Sequence, residues 1–352
     1  METVLKIQQK LLPDLLGIMQ QRYQILKYIR LMEPIGRRIL AAHLGMTERV
    51  LRSEINFLKE QGLVNVSTGG MSLTQDGRLL IKELEPIMKE VLGLRELELQ
   101  IKSILNIEEV IIVPGDSDEN ELVKKEMGRA CASRMKKSYT SINIIAITGG
   151  STLATVAEML TPDSKGRNLL FFPARGGLGE HAENQANSIV AKMAEKTMGQ
   201  YKLLHVPDQV SEDVYTSLIE EPAIKETLEM IRQSSMVVHG IGDAITMAKR
   251  RKTDSETFQR ILDGHAVGEA FGYYFNADGE IVHKVKTIGL QLEYLQKVPC
   301  VIAVAGGASK AKAISAVMKQ GKGENKILIT DEGAAKAIRE QTLINNEGFK
   351  EE

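Results

Sequence analysis

From about residue 95 onward, short apolar runs alternate with helical patterns. The strand candidates are Val110–Val113, Ile142–Ile147, Leu169–Phe172, Lys202–Val206, Met236–His239, Val301–Val304 and Ile327–Thr330. Strands joined through helices are joined by crossovers, and crossovers make neighbouring strands parallel. The expected fold for residues 91–352 is therefore α/β: a mostly parallel sheet with helices on both faces.

Four of these strand ends run into glycine. Ile147 is followed by Thr148-Gly149-Gly150-Ser151-Thr152, and Phe172 by Pro173-Ala174-Arg175-Gly176-Gly177-Leu178-Gly179. Val238 is followed by His239-Gly240-Ile241-Gly242-Asp243, and Val304 by Ala305-Gly306-Gly307-Ala308-Ser309-Lys310. Open α/β sheets bind ligands beyond the carboxyl ends of their strands. Glycine there admits close backbone approach, and a helix start beyond it offers N–H groups to an anion. The first and last turns share strand, double glycine, hydroxyl and helix, so both are expected to cradle anions, with Arg175 and Lys310 beside them. Two cradles suit a ligand with two anionic ends. The candidate residues are Gly149, Gly150, Ser151, Thr152, Arg175, Gly176, Gly177 and Lys310. Gln185, Arg250, Arg251, Lys252, Glu269, Asn276 and Asp278 are candidates for sugar hydroxyls or a second phosphate. Arg251, Lys252 and Asp278, taken singly, read better as solvated surface. The aromatic run Val267–Glu280 reads as a ligand-covering loop or a subunit interface. The spacing is neither a phosphate-loop nor a dinucleotide fingerprint.

The first ninety residues are organised differently. Residues 1–20 read as a helix interrupted by Pro13, and 21–32 as a second, with Tyr23, Leu26, Ile29 and Met32 inward. A third runs from Gly36 to Leu44, and a fourth starts at Thr47, a good N-cap. Gly45 supplies the turn between them, and Val50, Ile55 and Leu58 give the fourth helix its inner face. Leu63–Val66 and Met71–Thr74 form a hairpin, and Asp76 opens a long helix to about Leu94. Helix, turn, helix and hairpin together make a winged helix-turn-helix over residues 1–90. Between Arg22 and Arg52 seven cations face two carboxylates, a balance of +5 in a chain of net charge −1. A local basic patch is the footprint of a DNA-binding face. Thr47, Glu48, Arg49 and Arg52 fall at the start of the recognition helix, where base edges are read, while Arg37 and Arg38 suit phosphate.

Composition excludes several classes. Two cysteines in 352 residues are too few for a disulfide framework and suit buried thiols in a reducing cytosol. The six histidines lack metal-ligand spacing, so no metal is expected. No apolar run approaches membrane-spanning length, and the amphipathic N-terminus, with Glu2 and Asp14, is not a signal peptide. A cytoplasmic chain without membrane contact is expected. No pair of a positioned base and a partner acid can be named, so no catalytic residue or cofactor is assigned.

Long segments carry a resemblance: Lys10–Asp14, Glu33–Arg38, Thr148–Thr152, Pro173–Gly179, Val238–Gly242, Glu269–Gly279 and Thr330–Ala335. Through these the chain resembles the SorC/DeoR family of sugar-responsive regulators over essentially its full length. The resemblance implies a repressor of the operon encoding glyceraldehyde-3-phosphate dehydrogenase and the lower glycolytic enzymes, induced by fructose-1,6-bisphosphate. It implies an effector domain like that of ribose-5-phosphate isomerase and glucosamine-6-phosphate deaminase. It also implies operator DNA as partner and assembly into dimers and tetramers, for which the helix after Asp76 and the Phe271–Phe275 cluster are candidate contacts. The alternative is a sugar-phosphate isomerase or deaminase with a DNA-binding appendage, which turnover of sugar phosphates would reveal.

Overall fold

The computed structural model describes residues 11–163, 165–178, 181–321 and 323–348. Contacts group the chain into two compact units, one ending at Glu96 and the other starting at Leu97.

The first unit opens with α1 (Pro13–Met32). The first ten residues of the helix expected over 1–20 lie outside the described residues; the remainder is continuous with the second expected helix. Leu11 is helical and Leu12 is not, and Pro13 sits in the first turn of α1, where its missing N–H breaks no bond, so the expected interruption is seen at this point. Next come α2 (Arg37–Leu44) and α3 (Glu48–Glu60). Between them Gly45 takes φ +62°, and Thr47 Oγ1 accepts from the Val50 N–H at 3.4 Å. The strands β1 (Val64–Ser67) and β2 (Gly70–Leu73) form the hairpin. Ile35 adds a bridge to Met71, with N···O distances of 3.1 and 2.8 Å. The helix α4 (Gln75–Val91) is the long helix expected after Asp76 and ends three residues before Leu94, ahead of Gly93 at φ +68°. The inner face of α3 is Leu51, Ile55 and Leu58. Val50, expected inside, is 47% exposed, because the stripe starts one residue later.

The division between units falls inside α5 (Leu94–Leu105). There follow β3 (Glu109–Val113), α6 (Glu121–Ser138), β4 (Ile142–Ile147), α7 (Ser151–Met159), β5 (Asn168–Pro173), α8 (Ala186–Thr197) and β6 (Gln200–Tyr201). The chain continues through α9 (Glu212–Glu220), α10 (Pro222–Arg232), β7 (Met236–Gly240), β8 (Gly242–Asp243), α11 (Ala244–Arg250), α12 (Ser255–Asp263), β9 (Gly268–Ala270), β10 (Tyr273–Phe275) and β11 (Ile281–Lys284). It closes with α13 (Leu292–Leu295), β12 (Cys300–Val304), α14 (Ala311–Met318), β13 (Lys326–Asp331) and α15 (Glu332–Gly348). Seven strands form one parallel sheet in the order β3-β13-β12-β7-β4-β5-β6. Continuous apolar strands such as Cys300–Val304, buried at every residue, are what a sheet covered on both faces requires. Ile147 pairs with Pro173 and Val238, and Val304 with Gly240 and Ile329. The glycine turns therefore all leave the same edge of the sheet.

Two expectations fail here. Lys202–Val206 is not a strand; only Gln200 and Tyr201 pair with β5. The aromatic run contains β9 and β10, within an antiparallel sheet ordered β11-β10-β9-β8. Phe271, Tyr273, Tyr274 and Phe275 are at most 2% exposed. These four aromatic side chains are core, held in strands and a tight turn and not in a covering loop. Cys131 and Cys300 are free and buried, and no helix among the described residues is long and apolar enough to cross a membrane.

Candidate functional site

The site starts from the turn after β4. Gly150 takes φ +118°, a conformation that only glycine adopts without strain. Its N–H donates to the Asn184 carbonyl at 2.8 Å. No side chain caps α7, and among the described residues nothing accepts from the N–H groups of Ser151, Thr152 or Leu153. Bare first-turn donors at the positive end of a helix make an anion cradle.

This cradle opens into a cavity of about 200 Å³. The cavity brings together Gly149, Gly150, Ser151, Thr152, Arg175, Gly176, Gln185, Arg250, Glu269 and Lys310. Gly177 stays outside its lining and instead donates to the Val206 carbonyl at 3.0 Å. Asn184, Asp243 and Thr246 also line the cavity and escaped the sequence reading. Asp243 had a local signal: it caps α11, accepting from the Thr246 N–H at 2.8 Å.

Beneath the cavity lies a buried ion network. Arg175 donates to both oxygens of Asp208 at 2.5 and 2.7 Å, and lies 3.4 Å from Glu269 Oε1. Arg251 donates to Glu269 Oε1 at 2.8 Å, Asp208 Oδ2 at 3.3 Å and the Tyr274 hydroxyl at 2.9 Å. The Arg251 side chain is 1% exposed, so it is not the solvated surface residue expected. Burial alone would push the Glu269 carboxyl up; Arg251, Arg175 and the Gly272 N–H outweigh it and hold the group below its usual range. Nε and Nη2 of Arg175 are thus committed to Asp208, while Nη1 has only the 3.4 Å contact with Glu269.

The last glycine turn copies the first in backbone but not in chemistry. Gly307 takes φ +96°, as its sequence echo implies. Yet its N–H donates to Asp331 Oδ2 at 2.7 Å, and that of Ser309 to Asp118 Oδ2 at 2.8 Å. Ser309 Oγ adds a bond to Asp118 at 3.1 Å. A Cβ on Gly307 would stand 2.3 Å from Asp118 Oδ1. This second cradle is already filled by carboxylates and offers the cavity only the Lys310 side chain. Burial pushes the Lys310 ammonium below its ordinary range; Lys124 and Arg250 push the same way, and Asp118 and Asp243 oppose them.

In the first unit Arg37, Arg38, Thr47, Glu48, Arg49 and Arg52 are all exposed. Arg38 and Glu48 lie 3.3 Å apart. The other cations of the basic window turn inward: Arg22 pairs with Glu54 at 2.8 Å and stacks on Phe57, and Lys27 is 5% exposed. The cationic face is therefore narrower than the count of seven suggested, and it is centred on the start of α3.

Comparison with known proteins places both units. Residues 89–339 match the family model described as "Putative sugar-binding domain", and residues 18–88 match the CggR N-terminal DNA binding domain. The chain is 60% identical over 339 residues to the central glycolytic genes regulator of Priestia megaterium (strain DSM 319 / IMG 1521), covering 96% of this chain and 98% of that one. It is 58% identical over 338 residues to the protein of the same name from Bacillus subtilis (strain 168), covering 96% and 99%. A crystal structure of a SorC family transcriptional regulator from Enterococcus faecalis superposes with a TM-score of 0.66 at 43% identity, covering 69% of this chain and 99% of that one. The chain belongs to the SorC family of transcriptional regulators. As a SorC-family protein it joins a DNA-binding domain to a sugar-binding domain. These two relatives and this neighbour are transcriptional regulators, not enzymes, and the isomerase or deaminase alternative falls away.

Proposed function

We propose that this SorC-family protein represses an operon of glycolytic genes, that of glyceraldehyde-3-phosphate dehydrogenase and the lower glycolytic enzymes, and that fructose-1,6-bisphosphate in the 200 Å³ cavity releases it from the operator. The glycolytic assignment rests on relatives named as regulators of central glycolytic genes. The effector assignment is carried by one observation: a bare helix-start cradle at Ser151–Leu153 and the basic side chains of Arg250 and Lys310 line the same cavity. One phosphate would take the cradle and the Thr152 hydroxyl; the other would take Lys310 and Arg250. Gln185 and Glu269 would face the sugar hydroxyls between them. Binding needs no metal or cofactor. Two-fold assembly fits a reader of repeated half-sites, with a dimer as the minimal functional unit and a tetramer on the operator. The test is operator release, followed by fluorescence anisotropy. Fructose-1,6-bisphosphate is expected to free the operator at concentrations where fructose-6-phosphate, lacking one anionic end, does not. Continued occupancy at saturating bisphosphate would overturn the inducer assignment.

The reading face is tested separately. Arg49→Ala and Arg52→Ala are expected to cost about 1–3 kcal/mol at particular base pairs and to relax preference there. Arg37→Ala is expected to weaken binding to all sequences alike and lower the salt slope by about one. Anisotropy titrations against operator and scrambled duplexes at two salt concentrations separate the two outcomes. Equal losses on both duplexes for Arg49→Ala would remove it from base readout.

A further inference from the structure

Behind the front cavity lies a second, of about 210 Å³. Ala270 and Phe271 form a wall common to both. Phe271 sits at φ +54° and is 2% exposed. The Gly272 N–H closes that turn by donating to Glu269 Oε1 at 2.7 Å. The rear lining is largely apolar, with Leu292, Leu295, Val301, Val317 and Met318 among its walls.

Two polar groups in this lining keep hydrogen-bonding capacity that their protein partners do not use. Lys326 Nζ donates to the carbonyls of Met318, at 3.3 Å, and Gln320. Among the described residues no carboxylate pairs with it. Burial pushes its pKa down to about 8, so it remains charged at neutral pH. His239 is 4% exposed, with Nδ1 3.0 Å from the Gly240 carbonyl. A carbonyl only accepts, so this contact assigns the ring proton to Nδ1 and leaves Nε2 an acceptor. Burial holds the imidazole neutral, with its pKa pushed down to about 4. Among the described residues no donor meets Nε2. An ammonium held by carbonyls alone and an imidazole acceptor without a donor thus line one largely apolar cavity, whose carboxylate, Glu293, is engaged by Lys284 and the Tyr273 hydroxyl, and a ligand carrying the complementary groups would serve both.

We propose that the rear cavity is a second ligand site for a small apolar acid bearing one hydroxyl, its carboxylate toward Lys326 and its hydroxyl toward His239 Nε2. The volume suits this class: an apolar cavity of about 150 Å³ admits benzene, and this one is somewhat larger. Such a ligand would press on Phe271 and, through the turn, on Glu269 in the front cavity. That consequence rests on the front cavity being the effector site; the binding itself does not.

Binding is tested on the full chain without sugar phosphate, by methyl NMR titration with 4-hydroxybenzoate, benzoate and phenol. The expected result is saturable shifts at the Val317 and Met318 methyl groups. Affinity for 4-hydroxybenzoate should exceed that for benzoate, which lacks the hydroxyl, and for phenol, which lacks the carboxylate, by about tenfold each. Lys326→Met should lower 4-hydroxybenzoate affinity about tenfold and leave that for phenol unchanged. No shift at Val317 or Met318 in the parent chain up to about 10 mM probe would overturn the proposal, whatever the variant does. So would equal affinity for all three probes.

Discussion

Arg251→Met is expected to destabilise the second unit by about 3–5 kcal/mol, the cost of stripping one partner from a buried ion pair. Arg251 and Arg175 together balance Asp208 and Glu269, and all four side chains are at most 7% exposed. Methionine fills much of the space but leaves two carboxylates facing one guanidinium. Arg251 also donates to the Tyr274 hydroxyl, a bond the variant would lose. In thermal unfolding the loss corresponds to about 6–20 °C in a unit of this size. The double variant Arg251→Met/Glu269→Gln restores charge balance and is expected to recover part of the loss, since neighbouring sites in one network are not additive. A single-variant loss below about 1 kcal/mol, the level of an exposed pair, would show that the network is not closed to water.

Thr152→Val and Lys310→Ala are each expected to weaken fructose-1,6-bisphosphate binding by about one to two decades, with operator affinity in the absence of ligand unchanged. Each removes one bond to a charged group, worth roughly 1.5–3 kcal/mol. Valine keeps the shape of threonine, so its loss reports on the hydroxyl alone. Lys310 adds a dependence on pH. Its ammonium is held below the ordinary lysine range, with burial the first cause, and a bound phosphate would raise it again. Ligand binding should therefore take up protons once the free site begins to lose its charge. Affinity should then fall as pH rises through the depressed lysine value, and Lys310→Ala should abolish that part of the pH dependence. Calorimetric titration at neutral and alkaline pH checks both claims; unchanged affinity in both variants would move the effector elsewhere.

The central sheet was legible because strands buried on both faces are written as unbroken apolar runs, as at Ile142–Ile147 and Cys300–Val304. Lys202–Val206 has the same look, but Asn187 takes the place of a neighbouring strand. Its side chain bonds both the N–H and the carbonyl of Leu204 at 3.1 Å. The antiparallel sheet was missed because its strands are two to four residues long, too short for a period to register. The site was legible where backbone geometry demands glycine, as at Gly150 and Gly307. It was illegible where partners are remote in sequence. Arg251 reads as part of an exposed basic triplet until Asp208, 43 residues away, is brought beside it. The acceptors that fill the last turn stand 24 and 191 residues from their donors, and no local pattern announces them.

Asp331 carries a further consequence. One carboxylate, fully buried, accepts from Gly307 N–H, from Ser117 N–H at 2.9 Å and from Ala334 N–H at 2.9 Å. Three chain segments are thus pinned at one point, and Lys310 projects from one of them. The entropy of ordering that rim is lost when the chain folds, before any ligand arrives, so an incoming anion meets a lysine whose backbone is already set. Among the described residues the opposite rim has no such internal anion, and the N–H groups at the start of α7 are left for one from outside. A ligand joining the two rims would then act as a guest on a fixed post and a missing cap on a helix, and whatever it changes in the protein should begin at the helix.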